Sequence, residues 1–478
     1  MALVKSISSA RRAVLCAVGC VALLAAFLSS AAAQTRVGFG VQHEQVAGAG
    51  GTLLWAARYD AGNGDDAASA LAVRPVGGGF FVTGSSAGAS TGDDYATIAY
   101  TSTGTMSWVS RYDGPSHAHD AAFALAVSPD GSKVFVAGES TGNAGLGYAT
   151  IAYDAATGAE LWAKRYDSSN GGPGSASSVD VSPDGSRVFV TGTSSSSYAS
   201  IAYDAATGAT LWRRRYDGPG AGADSAAALA VSPDGSKVFV TGTSGGGATG
   251  DDYATVAYDA VTGATVWVRR SNGPTDGSDT ASALAVSPDS STVFVTGASP
   301  SRNGDDDVAT FAYDAATGSR IWGQRRRDSG DVDHPARLRV SPDGTRIFVT
   351  GTSYVIGALA SAILTVAYDA ATGDPVWEQD EFGGSLSFAD DLRVSPDGAR
   401  LYVAGANGSR FEPADYIAIA YDAATGSQLW QSGYAGPAND DDYATALGVS
   451  PNGAKLFVTG SSRSFADYDY ATVAFGTG

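Results

Sequence analysis

The sequence predicts an all-β protein, an eight-bladed β-propeller of four-stranded antiparallel blades. Three observations predict it. One unit of about 50 residues, best seen in Tyr198–Ser244, recurs through the chain, and a period in that range marks a ring or array of equivalent supersecondary units. Eight tryptophans, Trp55, Trp108, Trp162, Trp212, Trp267, Trp322, Trp377 and Trp430, fall one to a unit at spacings of 50 to 55 residues. The repeats also run out of phase with the chain. Thr52–Tyr59 matches the end of the unit and Tyr470–Phe475 matches its third strand, so the first piece completes the last blade and removes both open sheet edges. An open stack would leave an orphan strand at each end.

Each unit reads as four strands. The first is Leu-Ala-Val or a relative, as in Leu71–Val73 and Leu338–Val340. A Ser-Pro-Asp-Gly turn follows, where proline presets one corner and glycine is free to take a positive φ. Val-Phe-Val-Thr-Gly, as in Val238–Gly242, supplies the β-branched and aromatic residues that favour a pleated surface. The third strand, Tyr148–Tyr153 for example, alternates cleanly, and an Asp-Ala-Ala-Thr-Gly turn leads to the fourth strand and its tryptophan. One equivalent niche for the largest side chain in every unit implies that the tryptophans dock neighbouring units together. Gly at 62 of 478 residues supplies the turns, and 44% hydrophobic residues are ample for a core.

Residues 1–33 read as a cleaved secretory signal. Lys5, Arg11 and Arg12 form the basic region, Ala13–Leu28 the apolar one, and Ala31–Ala33 the small-residue cleavage site. A retained anchor needs about 20 apolar residues, more than this stretch holds. Residues 34–50 read as a linker and residues 51–478 as the propeller. Both cysteines, Cys16 and Cys20, lie in the signal, so the mature chain is expected to be stabilised without disulfides. Loss of the signal leaves 27 basic against 49 acidic residues, a net charge of −22, which repels nucleic acid and anionic lipid. The expected state is a secreted or envelope monomer with no membrane span.

Loop lengths separate two faces. From the last valine of strand one to the glycine closing strand two the distance is 11 residues in all eight units, whereas from that glycine to strand three it runs from 6 (Gly192 to Tyr198) to 12 (Gly351 to Ile363). Loops on a rigid scaffold carry most binding, so a ligand is assigned to the face of the strand 2–3 loops and interblade linkers.

Two acidic series point to that face. Asp66, Asp120, Asp224, Asp279, Asp333 and Asp442 stand seven residues before the last valine of strand one; Asp94, Asp252, Asp307, Asp415 and Asp469 stand immediately before strand three. They are read first as carboxylates that accept backbone N–H groups of adjacent loops, and alternatively as an acidic rim for calcium or a cationic partner. His117 and His119, with Asp120, form a weak zinc candidate that lacks an evident third ligand; His43 and His334 complete the four histidines. Arg213–Arg215 and Arg325–Arg327 follow tryptophans on outer strands, where they are read as a solvated edge or as contacts for a sulfate or uronate. No catalytic constellation stands out.

The segment Ala152–Trp162 resembles the A-x-D-x-x-T-G-x-x-x-W docking motif of the pyrroloquinoline-quinone (PQQ) dehydrogenase superfamily, whose propellers have eight blades. Six units match it; Thr101–Trp108 is one residue short and lacks the aspartate. The Ser-Pro-Asp-Gly and Asp-Tyr-Ala-Thr-Ile segments are also similar to YVTN-type and SBBP-type bacterial propeller repeats. The resemblance implies that each tryptophan rests on the neighbouring blade's motif. It implies PQQ only for members with vicinal cysteines, calcium ligands and a catalytic aspartate in long inserts, which this chain lacks. The function expected is therefore a non-catalytic scaffold that binds a protein or glycan without a cofactor. The alternatives are a PQQ- or metal-dependent oxidoreductase and a polysaccharide-active hydrolase or lyase.

Overall fold

The computed structural model describes residues 50–478, apart from residues 63, 89–91, 169–171, 221, 248–249, 303, 327–330, 356–359, 383–385 and 410–411. The signal, most of the linker, His43 and Arg327 lie outside the described residues. Thirty-two strands form eight four-stranded antiparallel sheets. Blade 1 is Asp66–Val73, Phe80–Ala87, Asp93–Tyr100 and Met106–Tyr112, and each later unit repeats that order. Blade 8 takes three strands from Asp442–Gly476 and its fourth from Leu53–Tyr59, which pairs Trp55 with Ala474 and Tyr59 with Tyr470. The ring is thereby closed. Across the seam, Thr445 donates its hydroxyl to the Ala68 carbonyl at 2.7 Å.

The first strand of every blade is a sheet edge and touches the first strands of both neighbours, so eight such strands surround the central axis. Those strands begin earlier than the Leu-Ala-Val segments predict. In blade 1 the strand starts at Asp66, and a β-bulge between Ala68 and Ala70 separates its two halves. Alanine-rich residues carry little strand propensity of their own. Pairing with the second strand decides them instead.

Blades are joined at three levels. Trp212 is 6% exposed and lies between Phe189 of its own blade, at a 5.8 Å ring separation, and Tyr258 of the next, at 6.0 Å. Its Nε1 donates to the Ala260 carbonyl at 3.1 Å, in the Asp259–Gly263 turn. Trp108, Trp162, Trp267, Trp322 and Trp377 repeat that bond with Ala155, Ala205, Ala315, Ala370 and Ala423, and Trp430 uses Thr477. Trp55 is the exception: its Nε1 has no partner, because the turn it meets, Thr101–Thr105, is the one-residue-short one. The turn glycine is required twice over. Gly208 has φ +67°, and a Cβ there would come within 2.7 Å of the Trp162 ring.

The second level was not visible in the alternating third strand. Its first tyrosine donates to the same strand of the next blade: Tyr95 to the Ala149 carbonyl at 3.4 Å, Tyr148 to Ala199 at 3.2 Å, and Tyr470 across the seam to Ala96 at 3.3 Å. Tyr198, Tyr253 and Tyr416 do likewise; blades 5 and 6 carry Val308 and Ile363 and forgo the bond. The third level is the first acidic series, which ties first strands to the linkers from the preceding blade.

Candidate functional site

Strand direction places the acidic residues on one face, with the variable loops. Asp66, Asp120, Asp224, Asp279, Asp333 and Asp442 are at most 1% exposed. Each begins or nearly begins a first strand and reaches back to the linker that delivers it. Asp120 accepts the Gly114 N–H at 2.6 Å and the Thr141 N–H at 2.9 Å, and Asp442 accepts those of Gly436 at 2.5 Å and Arg463 at 3.0 Å. Asp66 does the same with Ala61 and Ala87, and Asp224 with Gly218 and Gly245. Asp279 accepts the Gly273 N–H at 2.7 Å and the Ser299 hydroxyl. Burial pushes the Asp66, Asp224, Asp279 and Asp442 carboxyls up, and these donors partly oppose it.

The second series meets arginines of which sequence reading singled out only Arg215 and Arg325, and those as a solvated edge. Arg325 instead faces Asp307, and Arg215 donates to the Ser194 carbonyl and the Ser197 hydroxyl at 3.0 Å. Six fourth strands carry an arginine in one register, Arg58, Arg111, Arg165, Arg215, Arg270 and Arg325. Arg58 pairs with Asp469 at 2.5 Å, Arg111 with Asp94 at 3.0 Å, Arg270 with Asp252 at 2.8 Å and Arg325 with Asp307 at 3.7 Å. These aspartates are no more than 5% exposed. The repeated Arg-Tyr-Asp at 58–60, 111–113, 165–167 and 215–217 was the signal available.

Blades 6 and 7 break the rule. Blade 6 has Asp380 at the arginine position, and its counter-ion comes from blade 5: Arg326, 6% exposed, pairs with Asp333 at 2.8 Å, Glu378 at 2.6 Å and Asp380 at 2.8 Å. This corrects the solvated-edge reading of Arg326, because the blade 6 carboxylates draw it inward. Arg214 departs from it too, donating to the Gly263 and Thr262 carbonyls of the next blade at 2.6 and 2.8 Å.

Blade 7 has Gly433 there, so its fourth strand offers Asp415 no cation, and none pairs with it among the described residues. Burial, then the charges of Asp442, Asp441 and Glu412, push the Asp415 carboxyl up to about 6. A folded value above the ordinary 3.8 means that the folded state holds the proton more tightly, so this group's contribution falls as pH rises from about 4 through 6. Asp415→Asn is therefore expected to raise the melting temperature near pH 7.5, by about 1 kcal/mol after solvent screening, with no gain near pH 4. Thermal melts at both values check this; an unchanged melting temperature near pH 7.5 counts against it.

Three carboxylates converge, with oxygens within 4.8 Å of one another, at two adjacent junctions: Asp60, Asp66 and Asp469, and Asp94, Asp113 and Asp120. Among the described residues no such group includes His117 or His119. His117 meets Asp113 at 2.5 Å, while His119 meets Asp93 at 3.0 Å and Glu139 at 3.4 Å, so the two rings are held by different carboxylates. Glu139 above all, against the effect of burial, pushes His119 up to about 9.

Exposed aromatic surface lies on the same face in blades 6 to 8. Phe465, in the strand 2–3 loop of blade 8, is 89% exposed, and Phe382, in the linker after blade 6, is 58% exposed. The Arg463 guanidinium stacks on Tyr468 at 4.8 Å, and Tyr354 meets His334 and Phe388 at 5.7 and 6.3 Å. On the opposite face, a groove of about 350 Å³ separates the turns of blades 7 and 8, lined by Pro396, Asp397, Arg400, Asn452 and Thr477.

A family model described as outer membrane protein assembly factor BamB matches residues 147–359 and 304–472. The chain belongs to this PQQ-like propeller family. No curated protein matches the chain. Among solved structures, BamB from Moraxella catarrhalis is similar at 18% identity and a TM-score of 0.52, over 89% of this chain and 99% of that one. Sqt1 of Chaetomium thermophilum, bound to the N-terminus of ribosomal protein L10, reaches 0.61 at 14% identity over 88% and 98%. Quinohemoprotein alcohol dehydrogenase from Comamonas testosteroni reaches 0.57 at 14% over 89% and 76%. At these identities the likeness is one of fold. The described residues contain no cysteine, so they do not fit the cysteine-bearing quinone site of the resemblance.

Proposed function

We propose that this chain is an exported, non-catalytic binding or scaffold propeller whose protein or glycan ligand sits on the face of the strand 2–3 loops and interblade linkers. One observation carries the reading: the large exposed aromatics Phe382 and Phe465 stand on loops of that face. Aromatic side chains offer broad apolar contact at low conformational cost and are concentrated at binding surfaces. The acidic series serves a different purpose in this reading. Its carboxylates are held by backbone N–H groups and arginines, and Asp442 braces the start of the loop that presents Phe465. Membership of a family described as an outer membrane protein assembly factor, and a fold shared with Sqt1 bound to a ribosomal-protein segment, are consistent with a binding role.

The test compares the wild-type protein with a Phe382→Ala, Phe465→Ala variant on a glycan array and a peptide array. Both phenylalanines are exposed, so the variant should keep its melting temperature within about 0.5 kcal/mol equivalents while losing at least tenfold in affinity for whatever the wild type binds. Binding that survives the double substitution moves the ligand elsewhere. Turnover of a substrate by the purified protein replaces this reading with an enzymatic one.

A further inference from the structure

Beyond the bulge, each first strand ends in an x-Leu-x-Val pattern or a close relative, and in five blades both x positions are Ala or Gly, as at Ala70 and Ala72. Three blades differ. Blade 3 carries Ser178 and Asp180, blade 6 Arg337 and Arg339, and blade 7 Asp391 and Arg393. Small residues beside the axis of an eight-bladed ring leave room there, and into that room blades 6 and 7 place three guanidiniums.

The three converge on one oxygen. Arg337 Nε and Arg339 Nη2 each lie 3.6 Å from Asp391 Oδ1, and Arg393 Nη1 lies 2.6 Å from it. That carboxylate is already committed, with the Leu392 N–H on Oδ1 at 2.9 Å and the Leu447 N–H of blade 8 on Oδ2 at 3.1 Å. Each guanidinium donates one further bond, to the carbonyl of the residue before it: Ala336, Leu338 and Leu392. Of the five N–H donors on each arginine, about three then have no partner among the described residues. Their side chains are 43%, 32% and 28% exposed, so a solute at the axis can reach them.

The charges do not balance. Asp390, the bulge residue beside Asp391, is pushed up to about 7 by burial and so supplies only part of a charge near neutrality. Burial, then repulsion by Arg393, pushes Arg339 down. Elsewhere in this protein, whose net charge is −19, Arg58, Arg111 and Arg270 each meet one buried aspartate, and Arg326 serves three carboxylates. Here three cations share one fully ionised carboxylate, and an arriving anion gains from all three.

We propose that Arg337, Arg339 and Arg393 form an oxyanion site on the propeller axis, which takes the carboxylate or phosphate group of a small ligand. Planar guanidinium forks match both groups in bidentate geometry. The site lies next to the Ser341 and Ser395 turns, toward the face opposite the variable loops, and so stands independently of the partner surface proposed above.

The experiment is calorimetric titration of the purified protein with sodium phosphate and with citrate, in chloride buffer of constant ionic strength, alongside an Arg337→Ala, Arg339→Ala variant. That variant restores the Ala-Leu-Ala-Val of four other repeats and is expected to fold, as its circular dichroism will verify. At least one anion should bind the wild type at a single site and bind the variant at least tenfold more weakly, and which of the two does so distinguishes a phosphate-bearing from a carboxylate-bearing ligand. If neither anion binds the wild type better than chloride, or the folded variant binds equally well, the proposal is overturned.

Discussion

Trp212→Ala is expected to cost the propeller about 3–5 kcal/mol, the range for truncating a large buried aromatic. The ring is 6% exposed and wedged between two blades, so neither blade can close the cavity without shifting the other. Its N–H bond to the Ala260 carbonyl is lost as well, which leaves that carbonyl short of a donor. Because repeat proteins hold together through nearest-neighbour interfaces, the loss should fall on the seam between blades 3 and 4. Urea unfolding and hydrogen exchange together test this: protection should drop first in Lys237–Asp259 and Arg187–Asp204. Trp55→Ala supplies the comparison. Its Nε1 has no partner and its ring is only partly buried, so its cost should be smaller. Equal costs at the two positions, or a loss below about 1 kcal/mol at Trp212, would falsify the docking role.

The second large effect is at Arg326. This guanidinium is the shared cation of Asp333, Glu378 and Asp380, and Arg326→Leu leaves Asp333, 1% exposed, without it. Breaking a buried ion pair from one side costs about 3–5 kcal/mol, because the stranded charge keeps its desolvation penalty. Glu378 and Asp380, at 39% and 30% side-chain exposure, can turn to solvent and add little. The penalty therefore sits on Asp333, and Arg326→Leu combined with Asp333→Asn should recover about half of it. Thermal melts of the single and double variants decide the matter; a double variant no more stable than Arg326→Leu alone would place the cost elsewhere.

Most of the framework was legible because it is local and repeated. The 11-residue interval between strand one and the glycine closing strand two, the turn glycines and the tryptophan register each lie within one unit, where strand periodicity and turn chemistry act. The partners of the charges were not legible in the same way. Arg326 finds Glu378 52 residues on, a whole blade away, and nothing within either unit signals the contact. The first series of aspartates was read as backbone acceptors, a reading that the hydrogen bonds of Asp120 and Asp442 make concrete. Of the arginines opposite the second series, Arg58, Arg111 and Arg270 went unread and Arg325 was read as a solvated edge, although Arg-Tyr-Asp recurs at the end of four units. Comparing the repeats column by column exposes the departures: Gly433 and Asp380 where six blades have arginine, and Arg337 and Arg339 where five blades have small residues.

By itself the sequence determined the kind of module, its number and its closure, because alternation, turns and one large aromatic per unit are properties of neighbours in the chain. Only the tertiary structure decided which charges are balanced. Electrostatic balance depends on through-space distance and on burial, which are set by facing strands of the same blade for Arg111 and Asp94 and by the adjacent blade for Arg326.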